Sequence, residues 1–375
     1  MALYSLRKKY LAHRHPTSAA KAGSENRPLI AAVNRCATQN LPPAFQNPVH
    51  AFTVARSIVA ISLLFSISVM AQTQNPSLAQ TRQQLLQALD SGQLQDAILV
   101  GEQAVSRWPG DAQLRHHLGL AYFKTGDLKQ AREQLTRARD LDPRDSATRF
   151  DLALVLLSEQ DYSAAADELE ASIKLGGLNA NANANPNAIP NPNALVHILL
   201  GRAYLNSNRS LQAIDEFKSA LKLDPAIKLG RYHLGFAYYS LGRNDEAIAE
   251  YKEELRRSGE SPAVVYELGR SLLETGKYDA AVSYLQRGAE LDARNPDVWY
   301  NLGKAQALAG QEVQAESSLR RAAELNPTDP SPHYQLARVL EKVGRTEEAR
   351  GERQRFAELK KAQPASAGMA TGRDQ

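Results

Sequence analysis

Tyr232, Tyr266, Tyr300 and Tyr334 stand 34 residues apart, and Arg202, Arg270, Lys304 and Arg338 fall on the same ruler four positions later. Collected on one surface, four cations beside a ladder of phenol rings can hold an extended or acidic peptide through cation–π contacts and paired hydrogen bonds. That is binding chemistry, with no bond made or broken. The other reading is a row of packing tyrosines beside an ordinary solvated face, and the sequence leaves both open.

Catalytic patterns are missing. The chain has no glycine-rich phosphate loop, no strand-turn-helix nucleophile elbow and no HExxH. His116 and His117 are adjacent, so on a helix they point about 100° apart and cannot chelate one ion from one face. His197 and His333 occupy the register slot that holds Trp299, which argues for packing. Acid pairs such as Glu253-Glu254 and Glu347-Glu348 read as solvated helix faces. The sequence therefore implies no enzyme, no cofactor and no metal. No stretch outside the regular pattern is long enough for a catalytic domain.

Charge narrows the partners. The chain of 375 residues carries a formal charge of +4, but residues 1–71 hold eight Lys/Arg against the single acid Glu25. The rest holds 37 basic and 40 acidic side chains, a net of −3, which argues against binding nucleic acid through phosphate neutralisation.

The boundary at 71 comes from "VARSIVAISLLFSISVMAQTQ", an apolar stretch from Ile58 to Val69 behind Arg56 and followed by Val69-Met70-Ala71. This is the layout of a secretory signal peptide over 54–71, cut after Ala71, and it predicts export to the periplasm or beyond. The apolar stretch falls short of the roughly 18–20 residues that span a bilayer, so the mature chain is expected to carry no membrane span; an uncleaved signal anchor is the other reading. Residues 1–53 read as a disordered leader, or as sequence upstream of a true start near Val54. Cys36, the only cysteine, lies there, so the mature chain has no disulfide, thiolate metal site or cysteine nucleophile.

Beyond Ser77 a helical pattern repeats. "HHLGLAYFKTGDLKQAREQLTRARDLDP" (116–143) recurs as "HILLGRAYLNSNRSLQAIDEFKSALKLDP" (197–225) and as "YNLGKAQALAGQEVQAESSLRRAAELNP" (300–327). The small residue after its Leu falls at Gly119, Ala153, Gly201, Gly235, Gly269, Gly303 and Ala337, in steps of 34, 48, 34, 34, 34 and 34. The long step contains "LNANANANPNAIPNPNA" (178–194), whose Asn-Pro steps favour turns. It is therefore a 14-residue Asn/Ala/Pro insertion, and the register resumes beyond it. Its reach exceeds the spacing of packed helices, so it can loop out while stacking continues, or serve as a hinge between three units and five.

Eight units follow: 78–111, 112–145, 146–179, 194–227, 228–261, 262–295, 296–329 and 330–363. In domain terms these are units one to three at 78–179, the insertion at 180–193, units four to eight at 194–363 and a disordered tail at 364–375. Each unit reads as two helices joined by a tight turn, with Gly235 and Ala247 small enough for close antiparallel approach. One pair cannot bury its apolar face, so neighbours must stack. The last helix, Arg345 to Lys361, is mostly charged, and its Arg353 suits an end facing water.

The pattern resembles the tetratricopeptide repeat. Trp299, Leu302, Gly303, Ala315, Leu319, Ala322 and Pro327 match it in one unit, and Leu200, Gly201, Tyr204, Ala213, Phe217, Ala220 and Pro225 in another. The resemblance implies an all-α fold, a right-handed superhelical solenoid of about eight helix-turn-helix units. It also implies a concave face of first helices where ligands lie. The tyrosine ladder takes slot five of that face and the cations slot nine. Family members that clamp a terminal carboxylate carry Lys at slot five and Asn at slot nine, a pattern that this chain does not show. The N-terminal half offers a different, apolar groove of Leu86, Leu120, Phe123, Phe150, Leu154 and Leu157, able to take an amphipathic helix or the chain's own neighbouring segment.

The function this implies is an exported scaffold that binds protein or peptide partners. Its rivals are an assembly factor for a secretion, pilus or outer-membrane machine, and a non-catalytic subunit of an envelope enzyme complex.

Overall fold

The computed structural model describes residues 76–178 and 191–362. The leader, the signal segment, most of the insertion and the tail lie outside the described residues. Among those described, all regular structure is helical, in sixteen α-helices. The chain divides into two compact units, the first ending at Gly126 and the second starting at Asp127.

The first unit contains α1 (Leu78–Asp90), α2 (Leu94–Arg107) and α3 (Ala112–Thr125). Ser77 starts α1 with a reciprocal cap: its hydroxyl accepts from the Gln80 N–H and its own N–H donates to Gln80 Oε1. Asp111 starts α3 by accepting from the Leu114 N–H at 2.9 Å. The core is Leu85, Leu89, Ala97, Ala104, Leu114 and Ala121, with Leu94 and Trp108 at its edge.

The second unit runs from α4 (Leu128–Leu141) to α16 (Thr346–Ala362). Between them are α5 (Ser146–Ser158), α6 (Tyr162–Lys174), α7 (Pro192–Asn206), α8 (Ser210–Leu223), α9 (Gly230–Ser240) and α10 (Asn244–Ser258). Then come α11 (Pro262–Glu274), α12 (Tyr278–Leu291), α13 (Pro296–Leu308), α14 (Glu312–Leu325) and α15 (Ser331–Lys342). From α5 on, odd and even helices pair as the first and second helices of one hairpin, and each second helix packs on the next first helix.

On α7, α9, α11 and α13 the glycine of the first helix meets a large residue on its partner. A Cβ on Gly235 would sit 2.8 Å from Tyr251 Cε1, and one on Gly303 would sit 2.6 Å from Leu319 Cγ and 3.2 Å from the Ala315 carbonyl oxygen. Only glycine permits these approaches. In the last hairpin the pair becomes Ala337 and Arg353, and Arg353 turns outward to Glu341 at 2.6 Å. The charged end therefore faces water, as its composition implied.

The turn that ends each first helix requires a left-handed residue. Gly92, Gly126, Gly242, Gly276, Gly310 and Gly344 supply it with φ between +72° and +89°. At the two remaining turns the same slot holds Gln160 at +65° and Asn208 at +59°, where a side chain costs about 1–2 kcal/mol.

Stacking continues across the insertion. The Tyr204 hydroxyl of α7 donates to Glu170 of α6 at 2.5 Å, and the Arg209 guanidinium lies 4.2 Å from the Tyr204 ring centroid. The Leu178 N–H donates to Asn193 Oδ1 at 2.8 Å, tying the chain on either side. Helices α6 and α7 therefore pack directly on one another, while residues 179–190 of the insertion lie outside the described residues. Successive first helices from α7 to α15 touch one another, and second helices do not to a comparable extent, so this stretch curves toward its first helices. That places slots five and nine of α7 to α15 on the inner side.

Candidate partner-binding groove

The tyrosine ladder does not present four equal rings. Tyr232 on α9 is buried, 6.0 Å from the Tyr251 ring and 5.3 Å from the His233 ring. It belongs to the core, a correction to its reading as a contact residue, because the glycine at 235 draws α9 onto α10. Tyr266 on α11 and Tyr300 on α13 are half-buried, Tyr300 against the cluster of Leu319, Leu336 and Val339. Tyr334 on α15 is 47% exposed and leans on Phe356 at 5.5 Å.

The cations differ just as much. Arg270 lies between two phenol rings, its guanidinium 4.8 Å from the Tyr239 ring centroid and 5.4 Å from that of Tyr266. Its Nη1 donates to both oxygens of Glu267, at 3.2 and 3.0 Å, and its Nη2 donates to the Tyr239 hydroxyl at 3.0 Å. Lys304 Nζ faces Glu274 across to α11 at 3.6 Å. Arg338 lies 5.9 Å from the Tyr334 ring. Arg202 is half-buried on α7, one of the first helices that line the inner side. The structure thus joins Tyr266 and Arg270 with Tyr239, Glu267 and Asn301 in one cluster across α9, α11 and α13, while Tyr334 and Arg338 form a separate, more open pair.

Sequence reasoning missed Tyr239, Glu267, Glu274 and Asn301. The spacing of Glu267 and Arg270 was available as a helical i,i+3 ion pair. Tyr239 was not, because it meets Arg270 from the preceding hairpin, 31 residues away.

Burial is the largest influence on the phenols: it raises Tyr239 above the ordinary tyrosine range and Tyr266 well above it. Burial also opposes the charge on Arg270, but Glu267 and the surrounding phenols more than offset it, so the guanidinium stays charged. The cluster is therefore a fixed set of protonated donors with its positive charge matched in place by Glu267, whose side chain is 1% exposed.

Other candidates resolve as structure. His197 and His333 each place Nδ1 2.6 Å from a glutamate on the partner helix, Glu216 and Glu352 respectively. Arg149 to Glu168 at 2.8 Å and Arg231 to Glu250 at 2.7 Å are the same bridge, always 19 residues apart. Where the first residue is Val265 or Trp299, the second is Tyr284 or Ser318. His116 and His117 stack at 5.6 Å, and burial lowers His117 to about 4. No group of three or more metal-ligating side chains occurs among the described residues. No described helix is long and apolar enough to cross a membrane. Of the residues assigned to the apolar N-terminal groove, Phe123, Phe150 and Leu154 are buried core, while Leu120 and Leu157 are half-buried and Leu86 is 44% exposed.

Models described as tetratricopeptide repeat match residues 88–149, 198–262, 266–330 and 318–351, together more than half of the chain. No curated protein matches in sequence. Among solved structures, the hetero-tetramer of Cut9 and Hcn1 from the APC/C aligns at a TM-score of 0.49 with 17% identity, covering 75% of this chain and 52% of that one. MamA from Desulfovibrio magneticus RS-1 aligns at 0.46 with 18% identity, covering 47% of this chain and all of the other. Matched along most of its described helices by models of a single repeat, the chain belongs to the tetratricopeptide repeat family.

Proposed function

We propose that the protein is an exported scaffold that holds an extended peptide or protein partner along the inner side of α9 to α15, without chemistry of its own. The observation that carries this reading is the Tyr239–Arg270–Tyr266–Asn301 cluster, fixed on three successive first helices and continued by the more open Lys304, Tyr334 and Arg338. Rigid aromatic and Arg side chains held in place before binding lose little entropy when a partner arrives. Pairing of Arg270 with Glu267, and of Lys304 with Glu274, weighs against a partner selected by negative charge. Export rests on residues 54–71 and predicts a mature N-terminus at Gln72, to be read by mass spectrometry of the native protein.

The function is tested by affinity capture from an envelope lysate, comparing the parent with a Lys304→Glu, Arg338→Glu, Tyr334→Ala variant. These three side chains are half-exposed or exposed, so the variant is expected to keep its helical signal. A partner held by the parent and lost at least tenfold by the variant, about 1.4 kcal/mol or more, supports the groove. Equal capture by both removes it.

A further inference from the structure

The hydrogen bonds at the centre of the groove can be counted from both sides. A guanidinium has five N–H donors. Arg270 gives Nη1 to both Glu267 oxygens and one hydrogen of Nη2 to Tyr239, and its other contacts are ring faces. At least two donors remain. The Tyr239 oxygen accepts from Arg270, so its own proton is uncommitted.

Asn301 fixes the other phenol. Its Nδ2 lies 2.8 Å from the Asp297 carbonyl oxygen, a contact only an amino group can make, so the side-chain amide has one orientation. Its second hydrogen goes to the Tyr266 oxygen at 3.1 Å, which leaves the Tyr266 proton uncommitted and Asn301 Oδ1 without a donor. The cluster therefore offers several N–H and O–H donors and one acceptor side by side, around a guanidinium already neutralised by Glu267.

We infer that this cluster binds the backbone amides of an extended, uncharged peptide segment. Carbonyl oxygens of the segment accept from Tyr239, Tyr266 and Arg270, and a backbone N–H donates to Asn301 Oδ1. A carboxylate fits less well, since it has no N–H for Asn301 and would lie beside the Glu267 charge. The inference rests on the groove reading above and adds the ligand's chemistry to it.

The test screens the full chain against acetylated, amidated ten-residue peptides of Ala, Ser, Asn, Gln and Val, and a matched set carrying Glu at each position, with calorimetry at 50 and 500 mM NaCl. The expected result is binding from the uncharged set that changes less than about twofold with salt. Tyr239→Phe and Tyr266→Phe, which keep the rings, should each weaken it about fivefold. Preference for the Glu set with a steep salt dependence overturns the inference, and so does uncharged binding indifferent to both Phe variants, or no binding from either set. If Glu peptides bind and the Lys304→Glu, Arg338→Glu, Tyr334→Ala variant loses them, the groove stands and only the amide chemistry fails. If that variant also captures every partner the parent does, both fail.

Discussion

Helices α5 and α11 occupy the same place in their hairpins, and their inward slots have opposite fates. On α5 the slots hold Phe150, Asp151 and Leu154, all buried. On α11 they hold Tyr266, Glu267 and Arg270, of which only the glutamate is buried. The backbone is the same, so the side chains decide whether the inner side becomes core or a polar surface. An apolar residue in slot nine gains by packing inward. A guanidinium there gains only if a carboxylate and hydroxyls meet it, and Glu267 and Tyr239 do so.

The difference can be broken by substitution. Phe150→Ala should cost about 4 kcal/mol in urea denaturation, since a fully buried ring is removed. Tyr334→Ala, in the same slot at the open end, should cost far less, and equal losses would erase the distinction between core and surface. Glu267→Ala should cost about 2 kcal/mol, less than a fully buried pair would, because the Arg270 side chain is 28% exposed and can turn to water. A loss below about 0.5 kcal/mol would mean that the α11 cluster is no better held than an ordinary surface pair. The smallest effect concerns the turns that follow the two helices. After α11 the left-handed residue is Gly276, and after α5 it is Gln160. Gln160→Gly should therefore stabilise the protein by about 1 kcal/mol, seen as a raised denaturation midpoint, while Gly276→Gln should lower it by a similar amount.

Most of the fold was legible because a repeat writes the same physics many times. The small residue of each first helix and the left-handed turn recur at one period, so chance agreement at a single site does not matter. The site was legible only in outline. The ruler placed Tyr266, Arg270, Lys304 and Arg338 on inward slots, but exposure in those slots is not periodic. Tyr232 sinks into the core beside Tyr251, and Tyr334 stays open because among the described residues no hairpin follows α16 to cover it. The pairing that neutralises Arg270 depends on which neighbours reach it from α9, and a period cannot report that. The 19-residue bridges could have been read in advance, since the residue opposite Arg or His is Glu in each of those four hairpins and neither Glu nor Asp where it is Val265 or Trp299.

Those bridges bear on how such a chain avoids assembling wrongly. Hairpins that share one template can exchange halves, with a first helix docking on the second helix of a neighbour or of another molecule. Here the exchange is penalised. Val265 set against Glu250 would bury a carboxylate with no cation, and Arg231 set against Tyr284 would leave a guanidinium unmatched. The bridge side chains thus set the two hairpins that lack them, α11–α12 and α13–α14, apart from the four that carry them, so an exchange between the two kinds is disfavoured by composition at these two slots.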